Sequence, residues 1–476
     1  MRTQAIVHTL PCALVLLCCG CRTAETARFD SRPSSVKHWA ADSGESTPPP
    51  PAIVSAPAIA LTSLEVTDDS PSHTSLAQCI SLSLAQNPDL IAIRQNDSVG
   101  SAALGVAQTY PFNPSVQFQV TPWQDAKVGG PGSTYHYVLL MQTIQLAHQQ
   151  QFREEGAAST LNSIRWNIHQ AELLNVAQTE RLYFNVLYMR GILELAQASH
   201  ENNLRLLRTL EKQLEAGQAA AADVAIVRVD TKSTQQQMRL AKANHETALR
   251  DLKRQLGVSS ADPLTIGGDL KSLLWKVPSS EGEYDSVAAE IMGRASSRPD
   301  VMAAQADVDS ARAGMYLAHA GRTPDLQVGP YYQRGADGTT FLGLRAQMDL
   351  PVINTGQPLE QQRIAELNQR VTIWQQLQRR AGLEAQAALE RYELTLSAVE
   401  EDSGDAGQTH LPEELQSLEQ RFLEGEVDVV RVVQARSSLI QNQRTHLDLL
   451  HELAQSAANL MATTGIPLDE LLGVQE

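Results

Sequence analysis

Aromatic residues are scarce in this sequence, since only 5% of the 476 side chains are Phe, Trp or Tyr although 42% are hydrophobic. A compact globular core usually carries more rings than this. Gln, Ala, Leu, Glu and Arg dominate instead, and these residues lose little rotamer freedom in a helix. The composition therefore predicts long helices packed side by side.

Clusters of basic residues are also absent, and the formal net charge is −16 at pH 7. Binding to phosphate groups needs clustered Lys and Arg, so no nucleic-acid partner is expected. Beyond the first two dozen residues, no apolar run is long enough to cross a bilayer as a helix. Any membrane-integral part of the chain is therefore predicted to cross as strands.

Cysteine is nearly confined to the N-terminus, where four of the five cysteines precede residue 22. A positive start at Arg2 is followed by a mostly apolar stretch and by Gly20-Cys21, which resembles a bacterial lipoprotein signal. Cys18 stands where such signals usually have Leu, and an ordinary secretory signal cut near the same place is the alternative. We expect residues 1–20 to be the signal peptide and Cys21 to be the lipid anchor, which leaves no disulfide framework.

Residues 21–74 are rich in Ser, Thr, Pro and Ala and include four consecutive prolines, Pro48 to Pro51. Such a composition buries too little apolar surface to offset the entropy of ordering. We expect this segment to be a flexible tether between the anchor and the folded part of the chain.

Motifs for catalysis are missing as well. His451-Glu452 lacks the second histidine of a zinc protease motif, and there is no phosphate-cradling glycine loop and no Gly-flanked nucleophilic serine. His446 and His451 are five residues apart and fall on different faces of a helix, so packing or solvated roles are expected. The acidic run from Glu400 to Asp405 is interpreted as a solvated loop, with a weak cation site left open. The chain is not expected to be an enzyme or to bind a cofactor.

What the chain does contain is one pattern present twice. The motif Asn-Pro-Asp-Leu at residues 87–90 recurs as Arg-Pro-Asp-Val at residues 298–301, and each opens an Ala-rich helical stretch. Two short alternating segments follow, then a long helical pattern, a glycine turn and a returning helix. This order predicts a first repeat over residues 75–257, a linker over 258–283 and a second repeat over 284–473.

The helices of this pattern are predicted to be unusually long. Between residues 147 and 214 there is no proline, so a nearly continuous rod of about 90 to 100 Å is expected. Apolar residues recur there near helical spacing with Gln, Glu and Arg between them, which is typical of packed coiled coils. The second half has the same rod with a predicted break at residues 402–407. The returning helices are predicted to end at Gly257 and Gly465, where a C-cap glycine belongs.

Two segments alternate between apolar and polar residues in the manner of transmembrane barrel strands. The apolar residues of the first are Val116, Phe118 and Val120, and Gln117 and Gln119 lie between them. The second runs from Leu342 to Leu350, and its polar residues, predicted to face a lumen, are Arg345, Gln347 and Asp349. The alternative is two hairpins of a soluble sheet packed on helices. Four strands cannot close a barrel, so membrane insertion would require several copies of the chain.

The order of helix, strand pair, long helix, glycine turn and helix, present twice, resembles the TolC-like outer membrane efflux proteins over about residues 75–473. No single motif is highly specific, and the order and duplication together carry the resemblance. It implies a mainly α fold with a small β part. Long coiled-coil helical hairpins would form an α-barrel, and two β-hairpins would contribute to an oligomeric transmembrane β-barrel. In that family three chains each give four strands to one barrel, which twelve helices continue as a periplasmic tunnel.

The resemblance also implies a function, that of the outer membrane channel of a tripartite efflux or type I export system. Such a channel is a passive conduit, driven by an inner membrane transporter through a periplasmic adaptor, or membrane fusion protein. The expected assembly is a homotrimer in the outer membrane lipid of a Gram-negative-type cell, lipid-anchored and with a periplasmic tunnel. A secreted coiled-coil scaffold or a periplasmic adaptor is the alternative, but it leaves the strand pairs without a purpose. The exported substrate is open, because in such systems the pump chooses it.

The same resemblance assigns roles at the two glycine turns, which would be the periplasmic tips that meet the adaptor. The tip residues are Gly217, Asp223, Gly425 and Asp428. Family members with an acidic constriction carry acids six and nine residues after the second glycine, where this chain has Arg431 and Gln434. An inward-facing Arg431 would form a ring of positive charge under threefold symmetry. The alternative is that Arg431 pairs with Asp428, three residues earlier on the same helix.

Overall fold

The computed structural model describes residues 74–121, 134–276, 284–335, 337–404, 417–418, 420–422 and 426–472. The predicted signal peptide, the anchor residue Cys21, the tether up to residue 73 and the turn residue Gly425 lie outside these residues. In the described part of the chain, no helix combines the length and the apolar character needed to cross a membrane.

The first half of the chain follows the predicted order of elements. These are α1 (Leu76–Gln86), α2 (Pro88–Gln108), β1 (Ser115–Thr121), β2 (Tyr135–Ile144), α3 (Gln149–Glu215) and α4 (Ala221–Leu256). Helix α2 begins at the predicted motif because Pro88 suits its first turn and the Asn87 side chain accepts a hydrogen bond from Leu90 N at 3.0 Å. Helix α4 ends at Gly257, whose φ of 71° is left-handed, as the C-cap prediction requires.

The second half contains α5 (Tyr284–Ser296), α6 (Pro299–Ala320), β3 (Leu326–Arg334), β4 (Thr340–Met348), α7 (Gln357–Gly404) and α8 (Val429–Thr464). Two predictions are wrong in detail here. Helix α7 continues through Gly404, so the chain does not break at residue 402, and residues 405–407 lie outside the described part. Strand β4 ends at Met348, so Asp349 and Leu350 follow the strand instead of belonging to it. The bounds of the repeats and the linker remain predictions.

Helix α3 is the longest element, and its 67 residues correspond to about 100 Å at a rise of ~1.5 Å per residue. The prediction of a continuous rod is confirmed. Near the sheet, α3 packs on α2 and α6, where the Phe152 ring lies 5.5 Å from that of Tyr316. Farther along it packs on α4 and α8, where Gly191 lies against Leu447. Helix α3 therefore takes part in the packing at both ends of the fold.

The four strands form one antiparallel sheet in the order β1, β2, β3, β4. Strands β2 and β3 come from different halves of the chain and pair from His136 opposite Arg334 to Ile144 opposite Leu326. This pairing joins the two halves at the sheet. The connected helices follow the same order, because α2 contacts α3, α3 contacts α6 and α6 contacts α7.

In the described chain, most buried apolar side chains belong to two separate clusters. The larger one, the girdle core, surrounds the middle of α3 and draws on α1, α4, α7 and α8, with Phe184, Leu252, Tyr392 and Leu453 almost completely buried. The smaller one, the tip core, consists of Leu206, Leu210, Val224, Val227 and Val429. The girdle core supplies most of the apolar burial that stabilises the fold.

Buried polar residues lie between the two cores, where α3 faces α4. Asn203 Nδ2 donates a hydrogen bond to Asp230 Oδ2 at 2.6 Å, and the His200 ring lies 3.3 Å from Thr234 Oγ1. A buried polar residue in a coiled coil favours the register in which it meets a partner. This polar layer therefore fixes how the two helices align.

The predicted linker is packed against the helices as far as residue 276. Ile266 and Leu270 belong to the girdle core. The Tyr183 hydroxyl donates a hydrogen bond to the Gly267 carbonyl at 2.9 Å, and Arg190 donates one to the Ile266 carbonyl at 2.9 Å. The described part of the linker is therefore a structural component of the girdle.

Both ends of the described fold also meet at the girdle. Thr74 forms a parallel bridge with Ile266, and Trp275 forms an antiparallel bridge with Leu472. The Lys276 N–H donates a hydrogen bond to the Leu471 carbonyl at 3.0 Å. The beginning of the fold, the linker and the C-terminal segment thus lie side by side.

Gly329 gives a test of the β2 and β3 pairing, because a Cβ there would overlap the carbonyl oxygen of Leu140. We expect Gly329→Ala to destabilise the protein by roughly 1 to 3 kcal/mol, since the strands would have to move apart. Gly314→Ala is the control, because this glycine lies in helix α6 and a Cβ added to it would meet no other atom within 4 Å. It is expected to be neutral or stabilising by up to about 1 kcal/mol. Denaturant unfolding measures both, and equal stability of Gly329→Ala and wild type would contradict the register.

Glu180 gives a test of the girdle core through pH. Its side chain is buried, its Oε2 atom has no hydrogen-bond partner in the structure, and burial together with Asp469 raises its pKa to about 8 against the pull of Arg181. The unfolded chain loses this proton near the ordinary value of 4.5, whereas the folded chain keeps it. The stability contributed by the protonated group is therefore fully present below about pH 4.5 and falls as the pH rises to about 8.

Glu180→Gln removes this proton equilibrium while keeping the size of the side chain. We expect the variant to gain stability over wild type as the pH rises from about 5 to about 8, by roughly a few kcal/mol. Urea unfolding of both proteins at several pH values measures the difference. A difference that stays constant across this range would contradict the raised pKa.

Candidate functional site

The sheet has two chemically different faces. Residues directly opposite each other in an antiparallel pair point to the same side. The register therefore assigns Phe118, Val138, Tyr332 and Leu342 to one side, the apolar face. The other apolar side chains on it are Val116, Val120, Leu140, Ile144, Leu326, Val328, Leu344, Ala346 and Met348. Phe118 is 71% exposed and Leu342 82%, so nothing in the described chain covers this face.

The opposite side, the polar face, carries most of the polar residues of the strands. These are Gln117, Gln119, Gln327, Gln333, Arg345 and Gln347. Arg345 donates hydrogen bonds to the Tyr137 hydroxyl at 3.5 Å and to Gln347 Oε1 at 3.4 Å. The structure thus brings the predicted residues Arg345 and Gln347 together, whereas Asp349 follows the end of β4.

Strand β2 departs from the alternation, and sequence reasoning missed this. Leu139 and Met141 lie on the polar face, where they are buried. The rings of Tyr137 and Tyr331 lie 6.0 Å apart, and the Tyr331 ring covers Gly343 so closely that a Cβ there would come within 2.7 Å of it. The tyrosines were visible in the sequence, but the glycine that accommodates a ring depends on the register between strands.

The outer edges of the sheet are unpaired in the described chain. Strands β1 and β4 each pair with one strand, so each leaves a row of backbone N–H and C=O groups without partners in the sheet. Exposed apolar side chains are also frequent on the flanking helices. They are Ile91, Val99 and Val106 on α2, Ile226, Val229 and Leu240 on α4, and Leu359, Ile364, Ile373, Leu383 and Leu394 on α7.

The turn between α3 and α4 has the geometry that a tight helical hairpin requires. Gly217 has a left-handed φ of 73°, and its N–H donates a hydrogen bond to the Leu214 carbonyl at 2.9 Å. Asp223 lies in the first turn of α4, where a carboxylate complements the helix dipole. Val224 beside it is buried in the tip core.

The start of α8 carries the other predicted tip residues. Asp428 is the N-cap residue, and its carbonyl accepts a hydrogen bond from Arg431 N at 3.1 Å. Arg431 and Gln434 are exposed, whereas Val432 between them is buried. In the described residues, Arg431 and Asp428 meet through their backbones, and no side-chain ion pair joins them.

The two histidines of α8 pack against neighbouring helices. His446 Nδ1 lies 2.6 Å from Asp402 Oδ2 at the end of α7. The His451 ring stacks on Tyr188 at 4.4 Å, and burial lowers its pKa. The packing role predicted for these histidines is confirmed, while the prediction of a solvated loop at Asp402 is wrong because this residue is helical. Within the described ranges, no group of three or more His, Cys, Asp or Glu is arranged to hold a metal ion.

Sequence comparison supports a relationship to efflux proteins. The family of outer membrane efflux proteins matches residues 79–258, from α1 to just past the end of α4. The pyoverdine export outer membrane protein OpmQ of Pseudomonas putida is 23% identical over 322 residues, which are 65% of this chain and 66% of that protein. The chain thus spans just under two thirds of the length of this relative.

Solved structures share the architecture described above. Crystal structures of CusC, which address folding and transmembrane channel formation, align with a TM-score of 0.67 and 18% identity over 82% of this chain and 91% of that chain. The open state of the MtrE outer membrane channel of Neisseria gonorrhoeae aligns with a TM-score of 0.64 and 18% identity over 82% of this chain and 88% of that chain. At these identities the likeness establishes the fold. The described chain therefore has the fold of these channel proteins, and its residues 79–258 are similar to the outer membrane efflux protein family.

Proposed function

We propose that the chain forms the outer membrane duct of a tripartite efflux or type I export system. It is a passive conduit for cargo that an inner membrane pump drives through a periplasmic adaptor. The observation that carries this proposal is the sheet, whose apolar face is uncovered while the opposite face carries glutamines and Arg345. Lipid would cover the first face and water in a lumen would solvate the second. A coiled-coil scaffold gives this surface no role.

The duct is proposed to be a homotrimer in which β1 of one copy pairs with β4 of the next. An unpaired strand edge is not tolerated in lipid, and four strands cannot enclose a water-filled lumen. A head-to-tail contact that closes into a ring satisfies both edges in every copy at once. The exposed apolar residues of α2, α4 and α7 would be buried in the same contacts.

The same substitution to lysine at two neighbouring positions of β1 tests this assembly. Phe118→Lys puts an ammonium group on the apolar face, and Gln117→Lys puts one on the polar face. We expect the first to weaken assembly in the membrane by about 2 to 4 kcal/mol per copy near the bilayer midplane and the second to be mild. The yield of cross-linked trimer from detergent-extracted membranes measures both.

Two outcomes would count against the duct. Equal effects of the two lysines would mean that the faces do not meet different solvents. Wild-type protein that leaves the membrane in carbonate, or that cross-links only as a monomer or dimer in detergent, would favour a peripheral scaffold instead.

The hairpin turns are proposed as the periplasmic tips that contact the adaptor. Their residues are Gly217, Asp223, Gly425 and Asp428. Arg431 and Gln434 are proposed to line the constriction at the closed end, and the exposure of both side chains supports this. Three copies of Arg431 would replace an acidic ring with a basic one, so the constriction would lack the cation preference of acidic ones.

The proposed lipid anchor is tested by acyl labelling. Cys21→Ser is expected to abolish incorporation of a palmitate analogue into the mature protein, because the acyl chains attach at this residue. Cys79→Ser is the control, since the Cys79 thiol is fully buried and burial raises its pKa to about 12. Unchanged labelling of Cys21→Ser would rule out this anchor. The variant is expected to stay in the outer membrane, since an acyl anchor adds only part of the membrane affinity of a barrel.

A further inference from the structure

The four strands differ in charge from the rest of the chain. The chain has 54 Asp and Glu residues, yet none of them lies in β1, β2, β3 or β4. Besides His136, the basic residues of these strands are Arg334 and Arg345. The strands are therefore positive in a chain whose formal net charge is −16.

The two arginines lie on opposite faces of the sheet. Arg334 is the last residue of β3, opposite His136 and Thr340, and belongs to the apolar face. Arg345 is opposite Gly329 in the interior of β4 and belongs to the polar face. Within the described strands, Arg345 is thus the one arginine or lysine on the side that the proposed duct would turn to its lumen.

Neutral groups surround the Arg345 guanidinium. Its hydrogen-bond acceptors are the Tyr137 hydroxyl and the Gln347 amide oxygen. Gly329 across the ladder and Gly343 along the strand bring no side chain toward it. In the described part of the chain no carboxylate forms an ion pair with it, and its side chain is exposed. A guanidinium stays protonated at every physiological pH, so this charge is permanent and uncompensated.

Among the described residues of the strands and their ends, carboxylates lie at the margins of the sheet. At the end nearer the helices, Asp325 precedes β3 and Asp349 follows β4. Asp349 lies four positions after Arg345, which corresponds to about 13 Å at ~3.3 Å per residue. This distance exceeds the Debye length of about 10 Å at 0.1 M salt. At the level of Arg345, the field of the guanidinium therefore dominates. Asp337 lies in the turn after β3, beyond the other end of the sheet.

We propose that Arg345 determines the charge preference of the strand-lined part of the duct and favours anionic cargo, such as carboxylates and phosphates, over cations. The inference rests on the proposed function, because three copies of the polar face must surround one lumen. A ring of three guanidinium groups raises the local concentration of anions and repels cations. Each guanidinium can also donate two parallel hydrogen bonds to an oxyanion, and the glutamines beside it add neutral contacts.

The reversal potential of purified trimers in a planar bilayer under a KCl gradient tests this preference. Wild type is expected to prefer chloride. Arg345→Gln is expected to lower the ratio of chloride to potassium permeability roughly two- to fivefold, and Arg345→Glu to reverse the preference. Arg345→Lys should keep the wild-type ratio. Arg334→Gln is the matched control, since it removes the same charge from the opposite face and should change nothing.

A one-sided block separates Arg345 from Arg431 at the other end of the duct. Inositol hexakisphosphate is added only to the chamber that faces the turn between β3 and β4. We expect it to block wild type and Arg431→Gln, and to block Arg345→Gln much more weakly. Trimer mobility on a native gel confirms that each variant has assembled.

The inference is overturned if Arg345→Glu trimers conduct ions with the wild-type permeability ratio and are blocked by inositol hexakisphosphate as strongly as wild type. It is also overturned if Arg334→Gln changes the ratio as much as Arg345→Gln does. Wild-type trimers that insert but conduct no ions would instead refute the proposed duct, and the inference with it.

Discussion

The fold depends on the uninterrupted backbone ladder of α3. Each N–H from the second turn onward can donate to the carbonyl four residues earlier, and no proline or break interrupts the helix over its 67 residues. Because this one rod contacts α2 and α6 near the sheet and α4 and α8 toward the tip, it sets the distance between the two regions. A kink in its middle would displace the sheet and the tip relative to each other even if every local contact survived.

Packing along the rod changes with distance from its middle. At the girdle, large side chains such as Phe184 and Tyr392 are almost completely buried. Near the sheet, small residues bring the helices together, as where Gly156 lies against Ala313. Toward the tip, the polar layer of His200 and Asn203 interrupts the apolar contact. The low aromatic content agrees with this arrangement, because the most deeply buried rings of the described helices lie at the girdle.

The sequence predicted those features of the fold that are determined by residues close together in the chain. The helix start at the Asn87 motif, the continuous rod of α3 and the alternation around Phe118 each follow from residues close together in the chain, and each was predicted correctly. The end of β4 at Met348 was not, because the polar residue Asp349 continues the alternation although it no longer pairs. The helical conformation of Asp402 was likewise not predicted from the residues around it.

Contacts between distant segments could not be predicted from the sequence. The Tyr331 ring covers Gly343 within one hairpin, but the setting of Arg345 also needs Tyr137, which lies 208 residues earlier in the chain. Whether Arg345 has a carboxylate neighbour depends on the pairing of β2 with β3 across the two halves. The linker shows the same limit, because its prolines and glycines indicate a connection but not that Ile266 and Leu270 are buried.

The meeting of Thr74, Trp275 and Leu472 at the girdle has a consequence for engineering the molecule. Both ends of the described fold leave it beside the middle of the long helices, far from the strand hairpins and from the turn at Gly217. A fluorescent protein or affinity tag fused after Leu472 would therefore lie beside the girdle. It would leave both of the surfaces at its extremities sterically accessible.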